Sequence, residues 1–580
     1  MLAQQRPSQT DAQLEGVPDL LARIYRRRGI DNASQIGTKL QGLLPPSGMR
    51  GMDAACARLH TALLAQENII IVGDFDADGA TSCALAMLAL RNMGFHHLSF
   101  LVPNRFEFGY GLTPEIVDVA YQQSPHLIIT VDNGIASIAG VDKANSLGID
   151  VIVTDHHLPG EQQPNATAIL NPNQLGCNFG SKSIAGVGVF FYLMLGLRGL
   201  LRQEKWFTQA GIAEPNLADW LDLVALGTVA DVVPLDHNNR ILVEQGLRRI
   251  RAGRCRPGIT ALLEIAKRNP ASIVATDLGF AVGPRLNAAG RLDDMSLGIQ
   301  CLLTADWNEA REAAAVLDDF NKERRSIEAG MQQQAEQVLA QLGLGVTLPP
   351  IIVLYQPGWH QGVVGIVASR LKEQYHRPVM VFADADTYGG ETGGQLKGSA
   401  RSIPGFHMRD ALDLVAKQIP DVLSKFGGHA MAAGASIKAA EFELFKSTFE
   451  QVALSLVNDE MLTNTLLYDE DLDADLLTEA TADLVQSAGP WGQAFPVPIF
   501  KGRFTLVQQR LVGGNHLKLV LAPESSPQNI VDAIWFRVDV DKWPNEHLGV
   551  VEVFYQLDIN EFRGQRNIQL MVQTIQPLKN

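Results

Sequence analysis

The sequence has no apolar run long enough to cross a bilayer. Its most membrane-like stretch, "IAGVGVFFYLMLGL" over 184–197, is closed by Arg198 and falls short of the roughly 20 residues a span requires. It predicts a buried helix and no membrane association. The first residues, MLAQQRPSQTDAQLEG, contain no apolar core, which speaks against a secretory signal. Cysteine is scarce: Cys56, Cys83, Cys177, Cys255 and Cys301 are odd in number and irregularly spaced, and no C-x-x-C occurs. That excludes a disulfide framework and a cysteine zinc site, and it predicts reduced thiols in a cytoplasmic protein. A basic surplus is also missing, since 48 Lys and Arg face 63 Asp and Glu for a formal charge of −15. Coating nucleic acid by bulk charge is excluded, whereas a local basic groove is not. No short-period repeat is present.

What remains is a 580-residue chain, 46% hydrophobic and 19% charged, which predicts several globular domains. Beyond an N-terminal extension (1–53), short apolar strands alternate with helical segments. Asn68–Val72, Leu98–Val102, Leu127–Val131 and Ile149–Thr154 are strand candidates. The fold class predicted for 54–300 is therefore α/β, a doubly wound parallel sheet. Residues 301–346 read as a connecting helix, rich in Ala, Glu, Gln and Arg. A second α/β domain follows over 347–457, opening with "IIVLY". Residues 459–483 hold nine acids and no Lys or Arg, so 458–498 reads as an acidic linker ending in the Pro/Gly joint "GPWGQAFPVP". Alternating strands over 499–580 predict an antiparallel β-barrel, most naturally an OB-fold.

Four apolar segments, all read as strands, each end in acids. "IIIVGDFDADG" supplies Asp74, Asp76 and Asp78, "LIITVDNG" Asp132, "VIVTDHH" Asp155, His156 and His157, and "LVALGTVADVVPL" Asp231. Ligands of open α/β sheets bind beyond the carboxyl ends of the strands, so these segments can converge on one crevice. A lone strand-end Asp is usually a helix cap, and "DFDADG" lacks the rest of a calcium loop. Crowded carboxylates raise one another's pKa unless a cation neutralises them. Carboxylates suit Mg²⁺ and Mn²⁺, and imidazole favours Mn²⁺. The ligands suffice for two divalent ions, Mn²⁺ or Mg²⁺, sharing a carboxylate, a pair able to clamp a phosphate and activate water.

"GDFDADGATS", "VDNGI", "VTDHH" and "GTVADVVPL" resemble the four motifs of the DHH phosphoesterase superfamily. Their order, with "GPRLNAAGR" (283–291), "KGSARS" (397–402) and "FGGHAMAAG" (426–434), resembles the RecJ branch, the single-strand-specific exonucleases. The resemblance covers residues 50 to 575; only "GPWGQAFPVP" departs from the family, lacking its "GN". It implies a DHH domain followed by a DHH-associated domain. It further implies that Asp76, Asp78, Asp132, His156 and Asp231 are metal ligands, with Asp132 bridging. Asp155 would orient an imidazole, His157 would face the scissile phosphate or a metal-bound water, and Asp74 would be a ligand or support one.

Ser399 and Arg401, His429, and Arg285 with Asn287 are expected to hold phosphate. Arg105 and Tyr110 in "NRFEFGYGLTP" offer a charge and a stacking surface. Residue types alone would favour a turn histidine at His429 and an acid-paired Arg401. Eight basic residues in 240–268, and Lys501, Arg503, Arg510, Lys518, Arg563 and Arg566 in the barrel, could track a strand or be solvated faces. The resemblance implies 5′→3′ hydrolysis of single-stranded DNA to mononucleotides in repair and recombination. It also implies a monomer whose partners include a single-strand-binding protein and a helicase. Two alternatives stay open: hydrolysis of short oligonucleotides or cyclic dinucleotides, and a catalytically inactive DNA-binding scaffold.

Overall fold

The structure, a computed structural model, describes residues 2–103, 110–341, 348–385, 394–545, 549–562 and 564–578. After a short N-terminal strand, β1 (Leu2–Gln5), the first large sheet comprises β2 (Ile69–Gly73), β3 (Leu98–Leu101), β4 (Leu127–Val131), β5 (Asp150–Thr154) and β6 (Ala168–Leu170). All pairings are parallel, in the order β3-β2-β4-β5-β6. The strands are apolar on both faces because both are covered. Ile69, Ile71, Leu127 and Ile129 join a core with the helices Met52–Ala65, Ala77–Asn92 and Gly186–Gln203. The alternate residues Ile70, Val72, Ile128 and Val151 pack against the helices Pro114–Tyr121 and Ile138–Ser146. The predicted doubly wound sheet is present. Its winding reverses between β2 and β4, so the crevice lies beyond the ends of these two strands.

One element differs from the reading. "LVALGTVADVVPL" is no strand: Leu221–Ala230 is a helix. Buried from Leu221 to Thr228 on every side, it carries no helical periodicity, and a short apolar run does not distinguish helix from strand. The apolar stretch at 184–197 is the buried helix expected, and no described helix is long and apolar enough to cross a membrane.

The connecting helix is continuous over Trp307–Gln341, 35 residues or about 52 Å. Ala310, Ala314 and Leu317 pack into the first core, Met331, Ala335 and Leu339 into the core of the second α/β domain. That domain contains β7 (Ile352–Tyr355), β8 (Val379–Asp384), β9 (Gln395–Arg401), β10 (Leu423–Gly428) and β11 (Ala432–Lys438). Its order is β10-β11-β9-β8-β7, and only β7–β8 is parallel.

The acidic stretch is structured, contrary to its reading as a linker. It forms β12 (Thr465–Tyr468), β13 (Glu470–Asp471) and a helix, Glu479–Ser487. β1 pairs in parallel with β12. Arg28 lies 2.7 Å from Asp469 with both side chains at most 1% exposed, and Arg27 lies 2.9 Å from Glu470. The counter-charges come from the N-terminal extension, over 400 residues away in sequence. The Pro/Gly joint is packed as well: Trp491 and Phe495 stack at 5.0 Å, Arg240 lies over Phe495, and the Tyr25 hydroxyl donates to the Ala488 carbonyl.

The barrel comprises β14 (Phe500–Val512), β15 (His516–Pro523), β16 (Val531–Trp535), β17 (Val550–Phe562) and β18 (Gln565–Pro577). Its order β14-β15-β16-β18-β17 is closed by β14–β17 pairing, as an OB-fold requires. Its core is continuous with that of the first domain. Most basic residues expected to form a track are engaged internally: Arg240 with two carbonyls, Arg248 and Arg251 with Glu244, Arg249 with Asp219, Arg268 with Asp277. In the barrel Lys501 pairs with Asp471, Lys518 with Asp532 and Arg566 with Asp483. Arg563 lies outside the described residues.

Candidate active site

The loop after β2 places three carboxylates in five residues. Asp74 is buried and accepts the Phe75 N–H at 2.8 Å. Asp76 caps the helix Ala77–Asn92, its Oδ1 accepting from the N–H groups of Asp78 (2.9 Å) and Gly79 (3.0 Å). Asp78 is held from another direction: the N–H groups of Gly186 and Val187 donate to its two oxygens at 2.6 and 3.0 Å. Those amides open the helix Gly186–Gln203, whose dipole favours a carboxylate there. The buried helix ending in Asp231 approaches so closely that a Cβ on Gly227 would stand 2.3 Å from Thr81 Oγ1 and 2.7 Å from Asp78 Oδ1.

Asp132 follows β4 with φ at +62° and its N–H donates to the Thr154 carbonyl of β5 at 3.0 Å. Its Oδ1 lies 3.1 Å from His156 Nε2, which lies 3.4 Å from Asp231 Oδ2. Asp132 Oδ1 and His156 Nε2 are closed to solvent and have no hydrogen-bond partner, an arrangement buried polar atoms avoid unless something else binds them. Ligand atoms fall within 4.8 Å of one another in three groups: Asp132, His156 and His157; Asp78, His156 and Asp231; Asp74, Asp76 and Asp132. Asp132 and His156 each belong to two groups. A donor set of carboxylate oxygens with one or two imidazoles fits Mn²⁺ and Mg²⁺.

The electrostatics agree with that fit. Burial, and then the Asp76 charge, push Asp78 up to about 7. Burial followed by neighbouring acids raises Asp132 and Asp231 well above the usual carboxylate range. Burial, with the charge on His157, lowers His156 to about 4, leaving its imidazole neutral and able to ligate.

Asp155 serves the other histidine. Its Oδ1 lies 2.7 Å from His157 Nδ1 and accepts the N–H groups of His156 and His157, while its Oδ2 accepts the Ile135 N–H at 2.9 Å. Burial alone would lower His157, but the Asp155 carboxylate outweighs it and holds the imidazole at about 9. Tyr110, expected as a stacking surface, places its hydroxyl 3.3–3.4 Å from both His157 ring nitrogens. Its ring also stands edge-on to Phe75 at 6.0 Å. Two residues of "LNPN" were not anticipated: Asn171 Nδ2 donates to the His157 carbonyl at 2.8 Å and Asn173 Nδ2 to the His156 carbonyl at 2.6 Å. The available signal was an amide pair directly after a buried strand.

The phosphate candidates divide. Arg401 donates to Ser399 Oγ at 3.1 Å and to the Ala400 carbonyl, and among the described residues no acid pairs with it. Burial lowers this guanidinium. His429, in the β10–β11 hairpin, is lowered by burial and then by the charge on His157, so the second domain faces the acid cluster. Asn287 Oδ1 accepts the Ala77 N–H at 2.7 Å, beside the Asp76 cap. Arg285 departs from expectation: it is buried and bonded to Asp318 of the long helix at 2.8–2.9 Å. Its charge is spent on holding that helix. Arg105 lies outside the described residues.

Comparison with known proteins gives a consistent result. The DHH family, N-terminal domain, matches residues 68–228, the DHHA1 domain 348–454 and the RecJ OB domain 468–574. The chain is 53% identical over 563 residues to the single-stranded-DNA-specific exonuclease RecJ of Salmonella typhimurium, covering 97% of this chain and 96% of that protein. It is 52% identical to the Escherichia coli RecJ, with the same coverage. Among solved structures, RecJ from Thermus thermophilus in complex with Mn²⁺ matches with a TM-score of 0.78 at 28% identity, over 98% of this chain and 80% of that one. The Mg²⁺ complex matches with a TM-score of 0.73 at 27% identity, over 97% and 75%.

Proposed function

This chain belongs to the RecJ family of single-stranded-DNA-specific exonucleases, and on that premise we propose how its own residues perform the reaction. It is a metal-dependent phosphodiester hydrolase acting on single-stranded DNA. The observation that carries the reading is the orphaned pair Asp132 Oδ1 and His156 Nε2 amid the raised carboxylates of Asp78 and Asp231. Asp74, Asp76, Asp78, Asp132, His156 and Asp231 would hold two Mn²⁺ or Mg²⁺ ions, which when bound would supply charge neutralisation at the scissile phosphate and a water of lowered pKa.

The remaining roles belong to side chains. Asp155 keeps the His157 imidazole charged and turned so that Nε2 is the atom left for the substrate, stabilising charge that grows on the phosphate oxygens. Ser399 and Arg401, which has no acid partner among the described residues, take a phosphate of the strand by charge-assisted hydrogen bonds, and His429 assists from the facing hairpin. Asn287 fixes the Asp76 loop. Hydrolysis proceeds 5′→3′ to mononucleotides, in repair and recombination, by a cytoplasmic monomer that works with a single-strand-binding protein and a helicase.

The test is digestion of single strands labelled at either end, with blunt duplex as control, under Mn²⁺ or Mg²⁺. Immediate release of 5′ label as mononucleotide from single strand only, abolished in Asp76→Ala, is the expected result. Survival of long strands while dinucleotides are cut would replace this reading with a small-substrate phosphoesterase.

A further inference from the structure

Directly after the ligand Asp231 stands Val232, with φ at +60° and 62% exposed. A β-branched residue is strained in the left-handed region, and such strain persists where function uses it. No burial of the isopropyl group compensates here. A second irregularity lies beside it. Leu278–Val282 forms a π-helical turn, a distortion common at functional sites. A Cβ on Gly279 would stand 3.2 Å from Val229 Cγ1, and one on Gly283 3.1 Å from Ala230 Cβ. The turn is therefore seated on the last residues of the helix that delivers Asp231. Phe280, in the middle of the turn, is 76% exposed, and no Phe, Tyr or Trp among the described residues is more so. Asp277, at the head of the turn, is near enough to Asp558 of β17 for its charge to add to burial in raising the Asp558 carboxyl.

Two exposed apolar side chains, each on a distorted backbone beside one metal ligand, leave a surface that nothing among the described residues covers. The substrate brings flat apolar groups to this place, since each phosphodiester reaching the cluster carries bases on either side. Aromatic faces take bases without regard to sequence, as an exonuclease requires. We infer that Phe280 and Val232 form a base-stacking subsite that holds a nucleotide of single-stranded DNA next to the scissile phosphate. This rests on the function proposed above and adds the residues that position the strand.

The test combines Phe280→Ala with 5′-labelled single strands carrying one abasic spacer at each of the first few nucleotides in turn, digested under Mn²⁺. At one position the spacer slows the wild-type protein about tenfold in kcat/KM. Phe280→Ala shows a similar loss on intact strands, mainly in KM, and no longer responds to the spacer at that position. Val232→Gly serves as the second variant, because glycine relieves the left-handed strain: it melts no lower than wild type yet loses kcat/KM. Losses from Phe280→Ala and the spacer that multiply, or unchanged kinetics in both variants, would overturn the subsite. A wild-type protein inert on single strands would overturn the functional reading instead.

Discussion

His156 Nε2 stands 3.1 Å from Asp132 Oδ1, and neither atom has a hydrogen bond or contact with solvent. With His156 lowered to about 4, its imidazole is neutral near pH 7, and the two atoms form a ready-made pair of metal donors.

Replacing Asp132 with Asn keeps the shape and removes one crowded charge. The metal-free variant is expected to melt at or above the wild-type temperature, because like charges are relieved. The rise in melting temperature that Mn²⁺ gives the wild type, which follows from binding the folded state alone, is lost. Thermal melts with EDTA and with Mn²⁺ measure both.

The metal-free protein should lose stability as pH rises from about 6.5 to 9. Asp78 (about 7), Asp132, Asp231 and His157 (about 9) all have raised folded pKa values. Each binds protons in the folded protein that the unfolded chain releases at lower pH, so each contribution disappears as pH climbs through the folded value. His156, lowered to about 4, works the other way only between that pH and its ordinary 6.5. Mn²⁺ should flatten the upper part of the profile. Melting temperature against pH, with and without metal, checks the sign.

Asp155→Asn removes the charge 2.7 Å from His157 Nδ1. A fall in kcat of ~10²–10³ is expected, the usual range when a donor aimed at developing charge is disabled. Affinity for single-stranded DNA should stay within a few-fold. Single-turnover cleavage and equilibrium binding separate the two.

Tyr110 distinguishes its ring from its hydroxyl. Phe in its place keeps the edge contact with Phe75 and loses the oxygen 3.3 Å from His157 Nδ1. A lower kcat in Tyr110→Phe with KM unchanged means that the hydroxyl steadies His157. A silent Phe variant alongside an Ala variant with raised KM means that the ring receives a base.

Arg28→Ala should destabilise the protein by about 3 kcal/mol, the lower end of the cost of breaking a buried ion pair, because Arg6 remains 3.4 Å from Asp469. Its partner Asp469 is fully buried, and Arg28 also lies over the Trp491 ring. Urea unfolding of the metal-bound protein gives the value.

The acids after β2, β4 and β5 were legible because a strand-end carboxylate is a local pattern, visible within ten residues. Asp231 was legible as a residue and misread as an element: a helix buried on every side has lost the periodicity that marks helices. Arg285 reads as a phosphate contact in "GPRLNAAGR" because its true partner, Asp318, stands on another helix. The acidic stretch was misread for a related reason. Nine acids without a base look solvated, yet Arg27 and Arg28 from the far end of the chain neutralise two of them. Chemistry carried by short segments could be read; charge balance set by tertiary contact could not.

The pairing of Leu2 with Thr465 also matters while the chain is being made. A ribosome adding ~5–20 residues per second reaches the second strand roughly 25–90 s after the first. During that interval the N-terminal arginines are without Asp469 and Glu470, and β1 is an open strand edge, the kind that neighbouring chains exploit. The arginine-rich stretch behind β1 gains its buried counter-charges only when Asp469 and Glu470 emerge.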